Sequence, residues 1–75
     1  MLKIKDSVDL KELEKRNFDD LGVCYRAWEI SGTQFFINKL TREIKRLHPY
    51  SFRAEPTNNE IEMLGIVDLV EKVGE

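Results

Sequence analysis

The chain is predicted to fold as an α+β domain, a small antiparallel β-meander sheet covered by two short helices, and three features carry that prediction. Residues 22–47, GVCYRAWEISGTQFFINKLTREIKRL, concentrate the aromatic and β-branched side chains that suit a pleated, half-buried surface. Helix starts flank this stretch on both sides, Asp9 with Glu12 and Thr57 with Glu60, each a capping residue followed three positions later by a glutamate. Within it, Ser31-Gly32 separates two alternating runs as a two-residue hairpin turn does, with Gly32 supplying the positive φ.

Taken in order, residues 2–5 alternate apolar and basic, which predicts a short strand with Leu2 and Ile4 on one face and lysines that discourage edge-to-edge association. A helix over 10–16 follows, with Asp9 as N-cap and Val8 and Leu13 in the staple positions. Glu12 and Arg16 lie one turn apart, Asn17 is a left-handed terminator, and Phe18 returns the chain to the core. Strands are expected over 23–30 and 34–38, the second with Phe35 and Ile37 on one face and Phe36 on the other. A turn over 38–41 leads to a third strand over 42–47 with Ile44 pointing inward.

A rival reading remains for this region. Phe36, Leu40, Ile44 and Leu47 are spaced by four, four and three, which also describes a helix over 33–47. The Phe-Phe-Ile run and the Ser-Gly turn favour the hairpin, as does the partner that a strand at 23–30 needs. After His48-Pro49 comes a loop with Tyr50 and Phe52, then a helix near 58–67 with Ile61, Leu64 and Val67 on its core side. Gly65 inside that helix implies close packing or an early end. Residues 69–73 read as a last strand, with one helix continuing to Val73 as the alternative. The core candidates are Phe18, Tyr25, Trp28, Phe35, Ile37, Ile44, Ile61 and Leu64, with the faces of Tyr25 and Trp28 undecided.

Seventy-five residues make one small domain, 1–75, with 41% apolar and 35% charged residues, too hydrophobic for disorder and too polar for a membrane span. The amino-terminal MLKIKDS meets charge before any signal-peptide apolar region forms, so the expected location is cytoplasmic and no membrane partner is expected. One cysteine and one histidine exclude an internal disulfide and a cysteine–histidine metal set, and the carboxylates lack EF-hand spacing. No GxSxG, phosphate-cradling glycine loop or HExxH is present, and no cofactor is implied. Cys24 reads as a small hydrophobe in a strand, His48 as a turn residue, and Asp19-Asp20 as solvated loop residues. The expectation is a protein that is not an enzyme.

Charge is uneven along the chain. Residues 39–53 carry five basic side chains against Glu43, whereas residues 54–75 carry Lys72 against six acids, within a net charge of −2. Lys39, Arg42, Lys45, Arg46 and Arg53, interleaved with Tyr50 and Phe52, combine the cations and rings of a single-stranded nucleic-acid surface. The plainer reading is a solvated basic strand with two loop rings over the core, its charge neutralised in cis by the acidic tail. Trp28 reads as core; turned outward beside Arg26, it would be an interface anchor.

The stretches IKDSVDLKELEKRNF, INKLTREIK and LVEKVGE resemble small uncharacterised proteins of phages and prophages of Gram-positive bacteria. That resemblance covers roughly half the chain and assigns no residue a role. It implies an accessory protein of a mobile element, a regulatory or protein-binding module acting on a host or phage protein. Nucleic-acid binding through residues 39–53 is the alternative, and self-association through an uncovered strand edge a variant.

Overall fold

A computed structural model describes residues 1–28, 32–50 and 54–74. The fold is α+β, with strands β1 (Leu2–Ile4), β2 (Asp19–Asp20), β3 (Cys24–Trp28), β4 (Gln34–Asn38), β5 (Ile44–Leu47) and β6 (Val70–Lys72), and one α-helix, α1 (Asn58–Leu64). Two 3₁₀ helices, Leu10–Arg16 and Val67–Leu69, complete it. β2, β3, β4 and β5 form an antiparallel meander in chain order, and β1 pairs antiparallel with β6. The two sheets meet where Lys3 bridges to Glu43 and the Ile4 amide donates to the Arg42 carbonyl at 2.9 Å.

The helical rival for 33–47 is overturned by the ladder itself. Tyr25 pairs with Ile37 and Ala27 with Phe35, while Ile37 pairs with Ile44 and Phe36 with Lys45. A strand period of two sends Tyr25, Ala27, Phe35, Ile37 and Ile44 to one face, and all five are buried. The helical spacing of Phe36, Leu40, Ile44 and Leu47 is incidental, for Leu40 sits exposed at a turn and Leu47 on the opposite face from Ile44. Asn38 shapes that turn: its side-chain oxygen accepts from the amides of Leu40 and Thr41, at 2.7 and 3.0 Å.

The core is shared by both sheets. Leu2, Ile4, Leu13, Phe18, Tyr25, Ala27, Ile37, Ile44, Ile61, Ile66 and Leu69 form one buried cluster, with Val8, Leu10, Leu64 and Val70 packed against it. Of the expected core residues, Trp28 is a correction: it is 55% exposed on the outer face of β3. Leu64 is only partly buried, because α1 ends there.

Residues 10–16 form a 3₁₀ helix instead of an α-helix. Like α1 it is only seven residues long, too short to persist on its own, so tertiary anchors hold it in place. Asp9 accepts from the Lys11 amide, Leu13 is buried, and Asn17 closes the segment at φ 69 with its amide on the Leu13 carbonyl. The Glu12–Arg16 contact exists at 3.5 Å, but Arg16 reaches further to Asp68 at 2.9 Å and to the Gly65 carbonyl, fastening this segment to the chain's end. At α1 the capping box of Thr57 and Glu60 is complete. Gly65 ends the helix at φ 73, and a Cβ there would meet nothing within 4 Å, so backbone conformation and not close packing accounts for the glycine. The last strand starts only at Val70, since Val67–Leu69 form the 3₁₀ turn that buries Leu69. Asp19 and Asp20 are a correction too: they form β2, pairing with Arg26 and Tyr25. No helix among the described residues is long and apolar enough to cross a membrane.

Candidate interaction face

The described cations of the basic stretch do not assemble as one surface. Lys39 donates to Asp20 at 2.6 Å and lies 4.9 Å from the Tyr25 ring centroid, closing the edge of the sheet. The Asp20 contact raises the Lys39 ammonium and, together with the Gly22 amide, holds the Asp20 carboxyl below its usual range. Arg42 adopts a left-handed φ of 65, from which its guanidinium donates to the carbonyls of Lys5 and Val8 at 2.8 and 2.6 Å. It therefore ties the β4–β5 turn to the first segment of the chain. Arg46 points inward, its side chain 14% exposed, and its Nε donates to Glu60 at 2.7 Å. Burial pushes the Glu60 carboxyl up, but the Thr57 amide and Arg46 outweigh it and hold the group below the ordinary range.

Of the residues expected to contact a nucleic acid or a partner, Lys45 and Tyr50 are exposed, whereas Phe52 and Arg53 lie outside the described residues. Lys45 faces outward from β5, 3.5 Å from Glu43. Tyr50 is 92% exposed at the turn after β5, where its amide donates to His48 Nδ1 and its ring meets the His48 ring edge-on at 6.0 Å.

What the strand arrangement does bring together is the outer face of the meander. In one row across the strands stand Asp19, Arg26, Phe36 and Lys45, and in the next Trp28, Gln34 and Leu47. A half-buried Phe36 thus occupies the middle strand between two cations, with Trp28 and Leu47, each 55% exposed, at its corner. The Arg26 guanidinium stacks on Trp28, Cζ 5.2 Å from the ring centroid, and its Nε is buried without a hydrogen-bond partner among the described residues. At the far end of the sheet Val23 and Leu40 stand exposed on neighbouring turns that the Lys39 amide and Val23 carbonyl join. Cys24 is half-buried on this same outer face. Strand alternation could have shown the face: Cys24, Arg26 and Trp28 share the parity that opposes Tyr25 and Ala27, as Phe36 opposes Phe35 and Ile37.

No protein-family model matches this chain, and neither the curated proteins nor the solved structures give a match.

Proposed function

We propose that this chain is a protein-interaction module without catalytic activity, which engages a partner protein through the outer face of β3, β4 and β5. The observation that carries the reading is the outer face of an antiparallel sheet, with half-buried Phe36 between Arg26 and Lys45 and with Trp28 and Leu47, each more than half exposed, at its corner. Tryptophan and arginine are the residue types that dominate binding energy at protein interfaces, and a strand scaffold holds them in place before binding. The two cations favour a partner that presents carboxylates around an apolar anchor. Among the described residues, no three of the His, Cys, Asp and Glu side chains converge in the manner of a metal site. The resemblance to phage and prophage proteins supports a regulatory, cytoplasmic role on a host or phage protein.

The test is affinity capture from a bacterial lysate with wild type, Trp28→Ala and Leu47→Asp side by side. A protein retained by wild type and lost with both variants is expected, and retention by all three overturns the reading. Phe36 between two cations also fits a stacked base, so the same three proteins and Lys45→Glu are titrated with short single-stranded DNA and RNA at ~50 and ~200 mM salt. Binding that falls steeply with salt and disappears in Lys45→Glu would transfer the face to nucleic acid.

A further inference from the structure

Among the described residues the two-stranded sheet has one unpaired edge, and a cavity runs beside it. On β6, the Lys5 amide donates to the Leu69 carbonyl and the Val73 amide to the Met1 carbonyl, both at 2.8 Å. Antiparallel alternation makes Lys3 and Glu71 the hydrogen-bonded pair between them, so the amides and carbonyls of Val70 and Lys72 point away from β1. No described residue meets them. The other side of β1 is already used, through the Ile4 amide on the Arg42 carbonyl, which leaves β6 as the edge that no described residue pairs.

The side chains of Leu2, Ile4, Val70 and Lys72 share the sheet face turned toward α1. Beside Val70 lies a cavity of about 230 Å³ lined by Leu2, Asn58, Ile61, Glu62, Val67 and Val70. A shallower depression lined by Glu55, Pro56, Thr57, Asn58 and Lys72 continues it along the strand. A strand laid against β6 would therefore place the side chain opposite Val70 into the apolar cavity, and the next one on the same face would reach the depression.

We propose that the β6 edge accepts an extended basic peptide of a partner protein as an added strand, one aliphatic side chain seated in the cavity beneath α1. Backbone complementarity supplies the pairing, and charge selects the sequence. Glu55 lines the depression beside Lys72, Glu62 lines the cavity, and Glu71 stands on the opposite face of β6, and no ion pair among the described residues engages the three glutamates. The opposite side of β6 shows what suits this strand: it already holds Leu2–Ile4, an apolar–basic–apolar run whose Lys3 stands opposite Glu71. A second copy of the chain is a poorer occupant, because an antiparallel β6–β6 pair centred on Glu71 sets two glutamates directly opposite.

A dye-labelled peptide, Lys-Val-Lys-Ile-Lys-Val, titrated by fluorescence anisotropy against the whole chain is the probe. Saturable binding is expected, weakened about tenfold by N-methylation of the amides that bond to β6. Val67 is exposed at the cavity mouth, so Val67→Asp leaves the fold intact and is expected to weaken an aliphatic-centred peptide while sparing circular dichroism. Amide hydrogen exchange at Val70 and Lys72 should slow on binding. Equal affinity of methylated and unmethylated peptides would mean adsorption to an acidic surface and overturns the proposal, as does absent saturation at ~1 mM. A dimer of the free chain that blocks the peptide overturns it as well. The emission of Trp28, on the other sheet, reports independently on the face assigned above.

Discussion

Tyr25 and Trp28 differ in face, and the difference decides which of them is structural. Tyr25 is buried, with its hydroxyl donating to Glu14 at 3.1 Å, and burial followed by that carboxylate raises its pKa. Trp28, three residues on, falls on the opposite face by strand parity. Composition made tryptophan a core residue; only the register shows that it faces outward, with the Arg26 guanidinium as its stacking partner. Trp28→Ala should therefore cost about 1 kcal/mol or less, mainly the Arg26 stack, whereas Phe35→Ala should cost about 3–5 kcal/mol. Urea denaturation followed by circular dichroism checks the contrast, and equal losses would put Trp28 back in the core. Arg42 was equally opaque in sequence, because its two carbonyl partners lie 37 and 34 positions away. Arg42→Ala removes charge-assisted hydrogen bonds and keeps a strained φ, for a loss of about 1.5–3 kcal/mol. Arg42→Gly loses the same bonds but relieves the left-handed strain, so it should be the more stable of the two variants, by about 1 kcal/mol. The reverse order would show that φ of 65 is no burden at this turn.

Elements with their own punctuation were legible, and elements made by a distant partner were not. The β3–β4 pairing, the Asn38 turn, the Asn17 terminator and the Thr57 capping box each lie where the sequence places them, while Ser31 of the expected hairpin turn lies outside the described residues. β2 carries two aspartates and no apolar side chain, so only its backbone pairing with β3 defines it. The end of α1 lies between these cases, since Gly65 admits two readings until the space around it is known. With a Cβ unopposed, Gly65→Ala should cost about 1 kcal/mol through φ alone. Gly65→Asn should cost less, because asparagine tolerates the left-handed region. A thermal melt that places Asn at or below Ala would contradict this account. Thr57→Ala removes the acceptor for the Glu60 amide at 3.2 Å and should lower stability by about 0.5–2 kcal/mol.

At the scale of the molecule, part of the uneven charge of the sequence holds distant segments together. Arg46 of the basic stretch meets Glu60 of the acidic one, Arg16 meets Asp68 and Lys39 meets Asp20, while Lys3 meets Asp6 locally, within one turn of the chain. The carboxyls of Asp6, Asp20, Glu60 and Asp68 are all held below their ordinary range by these contacts. A carboxyl with a depressed folded value stabilises the fold above its unfolded value, about 4, and that contribution is lost as pH falls through the depressed one. Lys39 and Tyr25 are shifted upward, so their contributions hold below about 10 and are lost as pH rises beyond it. Stability should thus be flat near neutrality and fall from about pH 5 downward. The pairs do not weigh equally: Glu60 and Arg46 are shielded, with side chains 12% and 14% exposed, whereas Asp68 is 66% exposed and screened by water and salt. Glu60→Gln should therefore lower the melting temperature at pH 7 and flatten its acid decline, at low and high salt alike. Asp68→Asn should have the smaller effect, and one that ~0.5 M salt erases. Melting temperatures of the three proteins between pH 2 and pH 8 decide the matter: an acid decline in Glu60→Gln as steep as in wild type would mean that the shielded pair does not set the acid limit of this fold.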